Sequence, residues 1–193
     1  MRVIGGRWRG RRLEAPRAPE VRPTSDRVRE AAFGMLQARL DLEGATVIDL
    51  FAGTGAMGIE ALSRGASNAT FVERSKAACV AIEANLGQFG WAPGHEVVQD
   101  ANGVFEARLQ RAEACRWLQA GSSSPASSCF TVAFCDPPYR FSSWPALMRL
   151  VRAEFLLAES PTELEAGLGW EMLKVRRHGG AFLSLARRVE GQD

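Results

Sequence analysis

Thr46-Val47-Ile48-Asp49-Leu50-Phe51, followed by Ala52-Gly53-Thr54-Gly55-Ala56-Met57-Gly58, is the stretch that decides the fold. Its first half is an apolar run broken by one acid, the pattern of a strand buried on both faces. Its second half is a glycine turn leading into a helix predicted from about Met57 to Ser63. Gly53, Gly55 and Gly58 satisfy G-x-G-x-x-G, which taken alone is a weak signal.

The chain alternates outward from this point. Ala69 to Val72 is a second strand ending at Glu73, and Ser75 to Gln88 a helix. Val97-Val98 marks a third strand and Phe130 to Cys135 a fourth, which runs into Asp136-Pro137-Pro138-Tyr139. Pro145 to Arg152 reads as a helix and Phe155 to Ala158 as a fifth strand. Trp170 to Val175 and Ala181 to Leu185 flank His178-Gly179-Gly180 as an antiparallel hairpin. Strands alternating with helices imply a doubly wound α/β domain with a mostly parallel sheet, of about seven strands here. Upstream, Arg2 to Leu13 reads as a small basic β-hairpin with its glycines and Trp8 at the turn. A helix capped by Thr24 or Ser25 follows, with Val28, Ala32, Met35, Leu36 and Leu40 on one side. The expected division is a hairpin-and-helix extension over 1–43 and the main domain over 44–193. Gly121 to Ser128 is low in complexity and reads as a surface loop.

With 193 residues, 46% hydrophobic and 24% charged, the chain suits one globular domain. No apolar run is long enough to span a bilayer and no signal peptide is visible, so a cytoplasmic setting is expected. Four cysteines without C-x-x-C spacing and two histidines give no metal-ligand pattern, and no metal is expected. The net charge of +2 conceals an asymmetry: residues 1–29 hold nine arginines against three acids, a local +6, which leaves −4 elsewhere. Such a basic arm suits a polyanionic partner.

The chemistry follows from acids at strand ends. Asp49 stands just ahead of the glycine loop, where it would meet the phosphates of a dinucleotide. A ligand with a cationic amino group and no phosphate gains a charge-assisted hydrogen bond there instead. S-adenosylmethionine has both properties. Glu73, at the end of the second strand, can accept ribose hydroxyls, which fits an adenosine ligand of either kind. Asp136-Pro137-Pro138-Tyr139 is the most specific feature. An exocyclic base amine is a poor nucleophile because its lone pair is delocalised into the ring. A carboxylate and a backbone carbonyl accepting its two N–H bonds hold it with the lone pair aimed at an electrophile. Pro137 stiffens the turn, and Tyr139 offers a face on which an extruded base can stack.

These motifs, with Arg2-Val3-Ile4-Gly5-Gly6-Arg7-Trp8-Arg9-Gly10-Arg11-Arg12-Leu13 and Arg22-Pro23-Thr24-Ser25-Asp26-Arg27-Val28-Arg29-Glu30, resemble the RsmD family over most of the chain. Members are amino-group methyltransferases of the Rossmann-like class that act on the N2 amine of one guanine in bacterial 16S ribosomal RNA. The resemblance implies S-adenosylmethionine as cofactor, held by Asp49, Phe51, Ala52, Gly53, Thr54, Gly55 and Glu73. It also implies an acid–alanine pair near the adenine, for which Asp100-Ala101 is taken; Glu113-Ala114-Cys115-Arg116-Trp117-Leu118 fits the same place after an insertion. Asp136, Pro137, Pro138 and Tyr139 would face the guanine. Arg7, Trp8, Arg9, Arg11, Arg12, Arg22, Thr24 and Arg27 would contact RNA, in a partly assembled small ribosomal subunit, with the protein acting as a monomer. The other readings are an adenine-N6 DNA methyltransferase, a glutamine methyltransferase, a catalytically silent RNA-binding or assembly factor and, most distantly, a nicotinamide oxidoreductase.

Overall fold

In the computed structural model, described at residues 1–15, 25–101, 103–121, 129–165, 167 and 169–189, Thr46–Leu50 is strand β1 at the centre of one sheet. The elements run α1 (Asp26–Gln37), β1, α2 (Ala56–Ser63), β2 (Asn68–Glu73), α3 (Lys76–Gly87), β3 (Val97–Asp100), β4 (Gly103–Arg111) and α4 (Ala114–Gly121). They continue with β5 (Phe130–Cys135), α5 (Trp144–Leu150), β6 (Ala153–Ser160), β7 (Trp170–His178) and β8 (Ala181–Arg188). The sheet order is β3-β4-β2-β1-β5-β6-β8-β7. Strands β4, β2, β1, β5 and β6 are parallel, while β3, β8 and β7 join antiparallel. The described sheet thus has eight strands where about seven were expected. The added strand is β4, which turns back on β3 through Asp100 and Gly103.

Alternation of side chains along each strand sorts the core into two layers. Val47, Phe71, Phe134, Leu157 and Leu185 face the helices α1, α2 and α3. Ile48, Leu50, Val72, Cys135 and Leu156 face α4 and α5. A strand buried on both faces needs apolar residues at nearly every position, which is why β1 and β5 read as unbroken runs. Helix α1 is capped by Ser25, whose Oγ accepts the Val28 N–H at 3.3 Å. Ser75 caps α3 in the same way toward Ala78.

The N-terminal segment is part of this core. Val3 N–H donates to Arg11 O and Gly10 N–H to Val3 O, both at 2.9 Å, closing a short hairpin. Buried Glu60 on α2 accepts the N–H groups of Ile4 (2.7 Å) and Gly5 (2.8 Å). Arg7 N–H donates to Ser63 O and Trp8 N–H to Ser63 Oγ. A Cβ at Gly6 would fall 1.8 Å from Ser63 O, so only glycine lets the turn lie this close to the helix. Val3, Trp8 and Leu13 pack with α1 in the layer that also holds Phe134 and Leu185.

This packing runs against the expectation that Trp8 contacts RNA. Trp8 is 5% exposed, lies 4.0 Å face-on to Phe89 and edge-on to Phe105, and donates its Nε1–H to Asp100 at 3.1 Å. Arg7 is half-buried with its guanidinium over the Trp8 and Phe105 rings. Arg9, Arg11 and Arg12 remain exposed along the hairpin. Arg22 and Thr24 lie outside the described residues, as does nearly all of the serine-rich loop. No helix among the described residues is long and apolar enough to cross a membrane.

Candidate active site

The strand order reverses between β1 and β5, and a crevice opens beyond their carboxyl ends, where α/β sheets hold ligands. A cavity of about 1130 Å³ lies there, at the upper end of ordinary small-molecule sites and large enough for two ligands side by side. One half lies on the β2 side. It takes in the glycine loop, Glu73 and Arg74 after β2, and Ala112 to Ala114 after β4. The other half lies toward β6, β8 and β7. It takes in Asp136 to Phe141, Glu159 to Pro161, and the hairpin tip from Arg177 to Ala181.

The glycine loop is built by backbone torsion. Gly53 and Gly55 adopt φ of 56° and 75°, and the Gly55 geometry turns the chain into α2. Phe51 also adopts a left-handed φ of 64°, a strained conformation for a non-glycine residue. Its ring packs at 5.3 Å against Phe141, which meets Trp144 in turn. Gly58 has no room for a side chain, since a Cβ would sit 2.3 Å from Phe71. Helix α2 is thereby pressed against β2.

Three acids converge on the floor. Asp49 is 3% exposed and accepts the Gly58 N–H at 3.0 Å. Burial pushes its carboxyl well above the usual carboxylate range; the Gly58 bond opposes this, and the charges of Asp136 and Glu73 add to it. Glu73 is clamped by the N–H groups of Gly53 (2.9 Å) and Ser75 (2.7 Å). Each carboxylate oxygen keeps acceptor capacity for a further donor. Asp136 directly follows β5 and is half-buried, Pro137 is buried, and Tyr139 is 50% exposed at the mouth. The Pro138 carbonyl is taken by the Phe141 N–H, which tightens the turn.

A carboxyl whose pKa is raised by burial, with no cationic partner among the described residues, is one that a cationic amino group would help to ionise, and clamped Glu73 stands one strand away for a diol. These residues fit S-adenosylmethionine. Asp49, Phe51, Ala52, Gly53, Thr54 and Glu73 line the cavity, with Gly55 just behind them starting α2. Asp136, Pro137, Pro138 and Tyr139 line its other half.

The choice of Asp100-Ala101 is corrected. Glu106 of β4 pairs with Asn68 at the amino end of β2, so Asp100 and Gly103 overhang the end of the sheet opposite the cavity. There Asp100 accepts the Trp8 indole N–H. Glu113 and Ala114, which follow β4, occupy the cavity wall instead. Sequence reading also passed over Arg74, Arg140, Phe141, Glu159, Ser160, Arg177 and His178, all of which line the cavity. The signal available was position: Arg74, Glu159, Ser160, Arg177 and His178 end or directly follow a strand, and Arg140 and Phe141 follow the Asp136-Pro137-Pro138-Tyr139 turn after β5.

Fold and cavity together define a Rossmann-like methyltransferase. The solved structure of yhhF from Escherichia coli superposes with a TM-score of 0.77 at 30% identity, covering 98% of both chains. Ribosomal RNA small subunit methyltransferase D of Escherichia coli is 35% identical over all of this chain and 93% of its own length. The protein of the same name from Haemophilus influenzae is 32% identical over 74% of this chain and 65% of its own. The family described as conserved hypothetical protein 95 matches residues 1–179, and the chain belongs to it, the RsmD family of the sequence reading.

Proposed function

We propose that this chain transfers a methyl group from S-adenosylmethionine to the exocyclic N2 amine of a guanine in 16S ribosomal RNA. The observation that carries the reading is the division of one crevice into two halves. Buried Asp49 and Glu73 beside the glycine loop make a cationic-amine and diol site, and Asp136-Pro137-Pro138-Tyr139 makes a base-amine site across β1 and β5. The names of the relatives supply the substrate class, a small-subunit ribosomal RNA.

S-adenosylmethionine supplies a methyl group on a positively charged sulfur. Asp49 would hold its amino group and Glu73 its ribose, and Glu113, on the same side of the cavity, would be the acid available to the adenine. Asp136 and the Pro137 carbonyl accept the two N–H bonds of the guanine amine and aim its lone pair, while Tyr139 stacks on the extruded base. The nitrogen becomes acidic only as the new N–C bond forms, so Asp136 needs no raised basicity to receive the proton afterwards. The substrate is RNA in a partly assembled small subunit, met in the cytoplasm by a monomer. Arg9, Arg11 and Arg12 form an outlying contact surface for it.

The test is radiolabelled transfer to small subunits from cells lacking the gene, followed by nucleotide mapping. N2-methylguanosine at one position is the expected product, and methyl on adenine N6 or on no RNA overturns the reading. Asp136→Ala should leave cofactor affinity nearly intact while turnover falls on the order of a hundredfold or more. Retained turnover would make the tetrapeptide only a turn.

A further inference from the structure

The cavity is layered by charge. Of its acids, Asp49 and Glu73 are buried and Glu113, Asp136 and Glu159 half-buried, whereas its arginines Arg27, Arg74, Arg140 and Arg177 are all exposed at the rim. Arg74 follows Glu73 and belongs to the cofactor half. The other three come from separate elements around the same cavity: Arg27 from the first turn of α1, and, in the base half, Arg140 directly after Tyr139 and Arg177 from the end of β7.

Among the described residues, Arg2, Arg29, Arg64, Arg108 and Arg187 are paired with carboxylates. Among the described residues, Arg27, Arg140 and Arg177 are in no such pair, although Glu159 lines the same cavity and Asp26 precedes Arg27 in the chain. Asp26 is already engaged by Arg2 and Arg29. The Arg177 guanidinium lies 5.9 Å over the Phe182 ring, a contact that steadies the side chain without using its N–H groups as salt-bridge donors.

We infer that Arg27, Arg140 and Arg177 grip backbone phosphates of the nucleotides flanking the target base, so that the strand is held at three points around the mouth while Tyr139 receives the base. This rests on the proposed RNA reaction. It adds Arg140 and Arg177 to the RNA surface and moves the main grip from the N-terminal hairpin to the cavity rim. An acidic floor and a cationic rim sort the two ligands by charge: a cationic cofactor is drawn inward and a polyanion is kept at the lip. Phosphate contacts position the strand without reading sequence. These are positioning residues.

The experiment compares wild type with Arg27→Ala, Arg140→Ala, Arg177→Ala, the triple variant and each Lys replacement, with Arg39→Ala as an exposed control. Two readouts are taken: methyl transfer to small subunits at saturating S-adenosylmethionine, and RNA retention on filters with S-adenosylhomocysteine present. Each Ala variant should raise KM for the subunit roughly five- to tenfold, in keeping with a lost charged hydrogen bond at an exposed site. Each should also lower the slope of log affinity against log salt by about 0.7 to 0.9. Turnover at saturation, cofactor affinity, melting temperature and the modified position should stay unchanged. Lys should restore most of the salt slope and less of the KM, since it keeps charge without the planar fork. Unchanged RNA affinity and salt slope in the triple variant overturn the inference, as does a loss of melting temperature in step with RNA binding. Absence of transfer by the wild type overturns the reaction instead, and the filter measurement still decides the arginines.

Discussion

Asp49 shows at the scale of one residue how a binding site is maintained at the expense of stability. Burial, with two other acids nearby, raises its carboxyl well above the ordinary value, so the ligand-free protein keeps that proton to higher pH than the unfolded chain does. A raised acid contributes stability that is fully present below its unfolded value near pH 3.9 and is lost as pH climbs through the higher folded value. The ligand-free protein should therefore lose stability across that window, and Asp49→Asn should remove this loss and melt higher than wild type at neutral pH. The same substitution should weaken S-adenosylmethionine by roughly 1–3 kcal/mol, since the charged partner of the amino group is gone. In wild type, affinity should rise with pH over the window because binding needs the ionised carboxylate, and titration in buffers of different ionisation enthalpy should detect the released proton. A wild-type melting temperature flat across the window, or an asparagine variant that binds as tightly, would refute this account. Gly58 and Phe51 show the same economy in the backbone, one leaving out a side chain to seat α2 and the other holding a strained torsion at the cavity wall.

Among the elements, α2 couples the N-terminal hairpin to the glycine loop, since it starts at Gly55 and carries Glu60 and Ser63 on its later turns. Glu60 is wholly buried and holds Ile4 N–H, Gly5 N–H and the Arg64 guanidinium. Glu60→Ala should cost about 3 kcal/mol, the scale for removing one partner of a buried charged network. It should also speed amide exchange at Val3 to Leu13 more than at β1 or β5; equal protection throughout would show the hairpin held by its apolar contacts alone. Elements like β1 and β5 were legible in the sequence because burial on both faces forces a continuous apolar run. Strand β4, Gly-Val-Phe-Glu-Ala-Arg-Leu-Gln-Arg, lies next to the sheet edge with one face partly wet, so its charged residues masked it. Missing β4 led to the choice of Asp100, at the far end of the sheet, over Glu113, which lines the cavity. Glu73 and Asp136 needed no such inference, because each closes a strand that was itself readable. Of the rim arginines, Arg27 was named by the resemblance, whereas Arg140 and Arg177 stayed hidden because separate elements bring them to the same cavity, and no local spacing records that.

For the molecule as a whole, the basic arm proves to be a structural brace as well as a charged surface. The hairpin turn sits against Ser63 at the far end of α2, and its tryptophan fills the gap between Phe89, after α3, and Phe105 of β4. At the other end, Met1 Sδ touches the hydroxyl of Thr54 in the glycine loop and the buried Arg29, while Asn85 binds Glu14 and the Thr54 carbonyl together. Deleting residues 1–12 therefore removes core rather than an appendage. Loss of Trp8 alone is expected to cost roughly 3–5 kcal/mol, as other large-to-small core changes do. Against a typical total of about 5–15 kcal/mol, that is a large share. The truncated chain should melt far lower and bind S-adenosylmethionine more weakly, because the brace on Thr54 goes with it. Replacing only Arg9, Arg11 and Arg12 by Gln should leave both properties intact and lower RNA affinity by less than the rim substitutions. Differential scanning calorimetry with and without cofactor separates the cases. A truncated chain that melts and binds cofactor like the full-length protein would return the hairpin to the role of a free RNA-binding arm, and would mean that the contacts of Trp8 and Glu60 contribute little to the folded state.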